Sequence, residues 1–208
     1  MNNDLHPIIC DPVELLKKYD PDGRLDQYYQ LLLQENQRVN LVSRETVKTG
    51  LIELRKLAAQ SLLPLEKVVP AKIVNYLDIG SGGGFPAIPI LLTHPAILSC
   101  RLVERTQKKA AALSRIVSGL DLNALVISDN FEDLSLKPIY DLVTLRLVKL
   151  TPKLLRRILT VLTPEGCLIY YSVPGFEIKA TRAYAKVFHH TTSDGKSSGR
   201  FSLISKCQ

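Results

Sequence analysis

The chain has 208 residues, with 46% hydrophobic and 23% charged side chains, 11 glycines and 12 prolines. That length gives one domain with at most a small appendage and enough chain to bury a core. The composition excludes a disordered chain, a collagen and a pure coiled coil. The net charge is +7, from 27 basic and 20 acidic residues. The excess lies in residues 71–208, with 18 basic against 10 acidic, while residues 1–70 carry 9 against 10. It is either a patch that attracts phosphates or ordinary solubility charge.

The N-terminal segment MNNDLHPIICDPVELLKKYD has no basic region followed by an apolar one, so no secretory signal is read and a cytoplasmic protein is expected. DPVELLKKY predicts a short helix with Asp11 as a cap and proline near its start. RLDQYYQLLLQENQRVNL repeats apolar residues at three and four through Leu25, Tyr28, Tyr29, Leu32 and Leu33. VKTGLIELRKLAAQSLLPL continues that pattern as far as Pro64. Residues 1–70 therefore read as a helical N-terminal cap without a strand, and residues 71–208 as a second unit.

From Lys72 the pattern alternates. KIVNYLDIG predicts a strand, SGGG a loop and FPAIPILLTHP a short helix. The apolar run around Lys72 is cut by Glu66, Lys67 and Asp78, short of the roughly 18 residues that a membrane span needs. LSCRLVE is a second strand, and TQKKAAALSRIVSGL a helix that Thr106 can cap and Gly119 ends. ALVIS and YDLVTL are strands three and four. TPKLLRRILTVLTPEG is a helix stopped by Pro164 and Gly166, and CLIYYS is strand five. FEIKATRAYAKVF predicts a helix, HHTTS a sixth strand and RFSLISK a seventh, the last two joined by DGKSSG. Short apolar strands alternating with helices make a doubly wound, mostly parallel sheet. The closing pair makes an antiparallel hairpin.

No zinc pattern accompanies Cys10, Cys100, Cys167 and Cys207, and the four histidines are scattered, so no metal site is expected. The sharpest feature is Leu77-Asp78-Ile79-Gly80-Ser81-Gly82-Gly83-Gly84-Phe85, between a strand and a helix. Glycines there permit a tight turn and close approach of a ligand to the backbone. Glu104 follows Gly80 by 24 residues and ends strand two, where an acid can accept from both hydroxyls of a ribose. A dinucleotide fingerprint would need a third glycine where Phe85 stands. Asp78 beside a pyrophosphate would be repelled, whereas it suits a ligand with an ammonium and a sulfonium. This favours S-adenosylmethionine over NAD or FAD. A plain strand-to-helix turn is the alternative.

The D-x-G-x-G-x-G run followed by an acid at the end of strand two resembles the class I S-adenosylmethionine-dependent methyltransferases. The segment from Asp78 to Pro89, with Phe85-Pro86-Ala87-Ile88-Pro89 after the glycines, resembles one bacterial family. That is the small-subunit (16S) ribosomal RNA guanine-N7 methyltransferases, the glucose-inhibited division protein B family, and the likeness covers most of the chain. It implies the class I fold: a seven-stranded, mostly parallel sheet with a C-terminal antiparallel hairpin, plus an N-terminal helical extension. It implies transfer of a methyl group from S-adenosylmethionine to guanine N7 in 16S rRNA or the small ribosomal subunit. The partner would be that RNA and no membrane, and the protein is expected to work as a monomer.

The same resemblance implies a set of site residues. Asp78, Gly80, Ser81, Gly82, Gly84, Phe85, Glu104, Arg105, Phe131, Glu132 and Arg146 would bind the cofactor. Arg146 and Asn40 would serve catalysis. Lys108, Lys109 and Arg200 also fall on basic positions of the family, and by their charge Lys149, Lys153, Arg156 and Arg157 could extend the phosphate surface, so all seven are expected to bind RNA. Bland readings stand beside several of these. Arg146 could make a surface salt bridge, Asn40 a cap or turn. Lys153, Arg156 and Arg157 share a helix face that could simply be solvated. Tyr170 and Tyr171 could stack on a flipped base or pack in the core. The family's His-Ile-x-Asp-Ser reads Leu57-Ala58-Ala59-Gln60-Ser61 here, and its Lys-Gly after strand five reads Ser172-Val173. The cofactor half matches better than the substrate half. A methyltransferase for a small molecule or protein, or an RNA-binding protein without turnover, are the other readings.

Overall fold

The computed structural model describes residues 7–67, 72–172 and 183–206. The N-terminal part contains β1 (Ile8–Cys10), α1 (Pro12–Tyr19), α2 (Arg24–Asn36), α3 (Arg44–Thr49), α4 (Leu51–Leu62) and a 3-10 turn, Leu63–Glu66. Then follow β2 (Asn75–Ile79), α5 (Ala87–Thr93), β3 (Ser99–Val103), α6 (Gln107–Gly119) and β4 (Ala124–Ile127). A 3-10 turn at Phe131–Asp133 precedes β5 (Tyr140–Arg146), α7 (Pro152–Val161), β6 (Leu162–Ser172), β7 (Ala183–Thr192) and β8 (Ser198–Lys206).

Local chemistry accounts for most of the helix starts. Asp11 Oδ1 accepts from the Val13 and Glu14 amides, as expected of a cap. Asp20 accepts from the Arg24 and Leu25 amides at the start of α2, where Gly23 itself offers no side chain. Ser43 and Thr151 cap α3 and α7 through the Thr46 and Leu154 amides. Thr106 holds the cap position of α6, but its side chain makes no cap bond. Glu104 Oε1 accepts from the Thr106 amide instead, at 2.8 Å.

The strands form one sheet in the order β1-β7-β8-β6-β5-β2-β3-β4. β8 is antiparallel to both β6 and β7, and the other pairings are parallel. The expected doubly wound sheet and terminal hairpin are present, with three corrections. The sheet has eight strands, because Ile8–Cys10 pairs with His190–Thr192. Three residues are too few to show a period in sequence. The helix expected over FEIKATRAYAKVF is strand from Ala183 onward; its residues 176–182 lie outside the described residues. Pairing with β8 from Ala183–Lys206 to Thr191–Ser198 overrides the helix preference of alanine and lysine. Finally, α7 stops at Val161, and Leu162 already pairs with Tyr140.

One face of the sheet and the N-terminal helices share a core. Leu25, Tyr28, Leu32, Leu54 and Leu62 pack in the same cluster as Tyr76, Ile88, Leu102 and Ile116. The other face packs Leu77, Val143, Leu145 and Leu168 under Leu154, Leu155 and Ile158 of α7. The expected boundary at residues 70 and 71 falls outside the described residues.

Glu35 ties α2 to α6. Its buried carboxylate accepts from Arg115 Nε at 2.9 Å and Arg115 Nη2 at 2.7 Å. Those hydrogen bonds hold the Glu35 carboxyl below its ordinary value of 4.5. A carboxyl lowered on folding stabilises the fold above the unfolded pKa, and that contribution is lost as pH falls through the folded one. Glu35→Gln is therefore expected to lower the melting temperature at pH 7. Thermal scans across pH should show the gap from wild type closing below pH 4.5.

Candidate functional site

A cavity of about 870 Å³ opens at the carboxyl ends of β2, β3 and β5, where ligands gather in open α/β sheets. Ile79 to Gly83 and Phe85 form one wall. Val103 to Thr106 and Lys109 form a second, and Asp129 to Glu132 a third. Arg146 to Lys149, Thr151 and Leu154 close the far side, and Asn40 to Ser43, Thr46 and Leu57 come from the N-terminal part.

The glycine run works on two sides. Gly80 has φ +75°, and a Cβ there would meet Val148 Cγ2 at 2.5 Å. Gly84 has φ +103°, and its Cβ would meet Ile88 Cγ1 at 2.5 Å and Tyr28 Oη at 3.3 Å. Neither position accommodates another residue type without movement. Tyr28 Oη donates to the Gly83 carbonyl at 3.0 Å, so α2 fixes the loop from behind. Gly84 thus faces the N-terminal helices, and Gly83 takes its place in the cavity wall.

Asp78 also stands apart from the expectation that it lines the ligand site. It is 1% exposed and lies behind the loop. Thr144 Oγ1 donates to Asp78 Oδ1. Thr144 has one hydroxyl proton, so its oxygen accepts from Tyr76 Oη, 2.7 Å away. Tyr76 remains a donor because burial pushes its phenol well above the ordinary value. Among the described residues Asp78 Oδ2 has no hydrogen-bond partner, and the nearby Ser81 hydroxyl donates to the Asp78 carbonyl at 3.3 Å. Burial raises the Asp78 carboxyl from 3.8 to about 6, against the opposing effects of Thr144, Ser81 and the Arg146 charge.

Glu104 is buried at the end of β3, as the sequence implies. Its Oε2 accepts from the Gly82 amide at 3.0 Å and its Oε1 from the Thr106 amide. One carboxylate therefore joins the glycine loop to the start of α6. Each of its oxygens retains a lone pair for a further donor. Phe131 is buried in the cavity wall with the Arg157 guanidinium 5.9 Å from its ring centre.

Arg146 leaves β5 half-buried, and every partner it has among the described residues is neutral. Its guanidinium donates to Ser61 Oγ and Gln60 Oε1, each at 3.3 Å, and lies 5.7 Å from the Tyr171 ring centre. Desolvation lowers its pKa from the ordinary 12.5. The surface salt bridge considered from sequence is replaced by these contacts. Gln60 serves as an acceptor where the resembled family has aspartate, and Leu57 lines the cavity. Tyr171 Oη donates to the Ser61 carbonyl at 2.6 Å, which fixes Tyr171 as part of this brace.

Among the expected RNA-binding residues, Lys109 and Lys149 line the cavity, with Arg105 beside them. Lys108 is exposed on α6 outside it, and Arg156 is exposed on α7. Lys153 and Arg156 are exposed on α7, whereas Arg157 is partly covered. Lys153 pairs with Glu132 at 2.9 Å, and Arg157 covers Phe131 and donates to the Leu134 carbonyl. Both brace the turn at 131–134. Arg200 lies on β8 opposite Ser172, outside the cavity wall, with a buried Nε lacking a partner. Asn40 is exposed on the wall. Asn36 positions its neighbours by accepting from the Leu41 and Val42 amides at 2.7 and 2.9 Å. Sequence reasoning missed Asn36, Thr144 and the hydroxyl of Tyr28. An asparagine ending a helix before a loop was the one local signal available for any of them.

A profile of the GidB family, described as rRNA small subunit methyltransferase G, matches residues 22–195. A protein of Acidiphilium cryptum named ribosomal RNA small subunit methyltransferase G is 32% identical over 172 residues, covering 82% of this chain and 77% of its own. A protein of the same name from Dehalococcoides mccartyi is 37% identical over 122 residues, 57% of this chain. That match spans 48% of the relative, so the chain corresponds to about half its length. Among solved structures, a Klebsiella pneumoniae protein described as a candidate O-methyltransferase aligns with TM-score 0.63 at 17% identity, covering 95% of this chain and 96% of that one. The mitomycin 7-O-methyltransferase MmcR gives 0.56 at 14% identity, covering 94% and 72%. The fold is that of the class I S-adenosylmethionine-dependent methyltransferases.

The half-paired Asp78 yields a stability test. A carboxyl with a raised pKa binds more protons when folded, so stability declines as pH rises from 3.8 to about 6 and stays low above. Asp78→Asn removes that charge and keeps an acceptor for Thr144. Its melting temperature is expected to exceed wild type at pH 7.5, with the gain shrinking below about pH 6.

Proposed function

The chain belongs to the rRNA small subunit methyltransferase G family, and from that premise we propose that it transfers a methyl group from S-adenosylmethionine to N7 of a guanine in 16S rRNA. The observation that carries this reading is the buried carboxylate of Asp78, with its unpartnered oxygen, beneath a backbone-lined glycine loop. A fixed negative charge in a poorly solvated position favours a cationic ligand over a pyrophosphate. When bound, S-adenosylmethionine supplies an electrophilic methyl group on a sulfonium.

The residues divide the work. Gly80, Ser81 and Gly82 present backbone to the cofactor, with Asp78 as the charge below and Phe85 beside them. The free lone pairs of Glu104 suit ribose hydroxyls, and the flat ring of Phe131, with Glu132 and Arg105 nearby, suits adenine. Guanine N7 has an in-plane lone pair and attacks without losing a proton, so no general base is needed. The protein's contribution is alignment. Arg146 brings a guanidinium whose hydrogen-bond partners are neutral, within the field of Asp78 and Glu53, to the cleft to hold the substrate, and Asn40 lines the same cavity. Lys109 and Lys149 meet phosphates at the mouth, with Lys108, Arg156 and Arg200 farther out, while Lys153 and Arg157 act on the cofactor wall.

Residues 1–70 serve as a cap on a methyltransferase domain, 71–208. The support is the hydrogen bond from Tyr28 to Gly83 and the Asn36 clamp on the cavity wall. The partner is 16S rRNA or the small subunit, the protein works as a cytoplasmic monomer, and no membrane is involved. Among the described residues, no helix is long and apolar enough to cross a membrane.

The test is transfer of labelled methyl from S-adenosylmethionine to small ribosomal subunits, and to their naked RNA, from cells lacking this gene. Digestion should return the label as 7-methylguanosine at one position. Label in protein or a small molecule would overturn the RNA reading. Cofactor bound without transfer to any RNA would leave a binding protein without turnover.

A further inference from the structure

Leu147 breaks the pattern of side chains around the cavity. It follows Arg146, lines the mouth, and at 89% is the most exposed large apolar residue among the described residues. Its φ is +58°, in the left-handed region, where Cβ crowds the backbone of any residue except glycine. The neighbours explain how it is held there. Arg146 turns inward to Gln60 and Ser61, and Val148 packs on Gly80, where a single Cβ would come within 2.5 Å of it. Between two inward side chains, Leu147 is turned out. Glycine would remove the strain, and a polar residue would suit the exposure. Leucine satisfies neither need, and strain of this kind collects at functional sites.

The surroundings indicate the partner's chemistry. Lys149, two residues along the chain, is also exposed, and the cavity that both line carries Arg105 and Lys109 as well as Glu104, Asp129 and Glu132, so the leucine stands on a charged rim rather than in an apolar patch that would fit a protein. A solitary exposed apolar side chain close in sequence to a lysine matches a nucleobase next to a phosphate.

On the reading of the site as an rRNA methyltransferase, we infer that Leu147 is a wedge that packs against RNA bases at the cavity mouth and holds the target guanine out of its stack. Enzymes acting on a base must extrude it, and inserted leucines unstack neighbouring bases. Arg146 inside and Leu147 outside then address the extruded guanine and the stack it left.

The experiment uses two RNA fragments around the methylated guanine, one with it stacked in a helix and one with it in an unpaired bulge. Leu147→Ala is expected to lose about tenfold in kcat/KM on the stacked RNA and less than about twofold on the bulged one. Affinity for S-adenosylmethionine should be unchanged. Leu147→Gly should show the same selective loss with no fall in melting temperature, because it relieves the backbone. Equal loss on both RNAs, or wild-type activity on both, would overturn the wedge. Wild-type protein inactive on both fragments and on intact small ribosomal subunits would overturn the methyltransferase reading instead.

Discussion

A carboxylate with half its hydrogen bonds made lies beneath the glycine loop, and the site is organised over it. Asp78 takes one proton donor from Thr144, which is itself supplied by Tyr76, and its second oxygen has none among the described residues. These three residues come from the adjacent strands β2 and β5, with Asp78 opposite Thr144 in register. The charge is thus fixed by the most rigid part of the fold. A protein stabilised for its own sake would fill that vacancy with a donor or an apolar side chain. Keeping it costs stability and leaves a field suited to a cation.

The loop above Asp78 is held from three directions. Glu104 joins it to the start of α6, Tyr28 holds Gly83 from the N-terminal helices, and Val148 packs on Gly80 from beyond β5. The last contact also sets the turn that buries Arg146 and exposes Leu147. The glycine wall of the cavity and the wall that carries Arg146 are therefore mechanically joined at Gly80. The N-terminal helices belong to the same construction, since the core that buries Tyr28 and Leu32 also buries Ile88.

What could be read from the sequence was whatever is local or periodic. The Asp78 to Gly84 run and the distance to Glu104 follow one strand-helix-strand unit, so both are visible in a linear chain. The Asp11 cap is visible for the same reason. Contacts between distant segments are not. Gln60 meets Arg146 across 86 positions and Tyr28 meets Gly83 across 55. Nothing in sequence distinguishes Arg157, which shields Phe131, from the exposed Arg156 beside it. The strand from Ala183 to Phe188 reads as helical because its alanines and lysine favour helix, and only β8 supplies the reason to extend.

Asp78 keeps one carboxylate oxygen open for a cationic ligand. A carboxyl with a pKa of about 6 is half protonated at pH 6, and a bound cation favours its ionised form. Calorimetry of S-adenosylmethionine binding at pH 6, in buffers of different ionisation enthalpy, measures the protons exchanged. Binding should release up to about half a proton per site, and none in Asp78→Asn. Binding with no proton release in wild type, or with the same release in the variant, would contradict this role of Asp78.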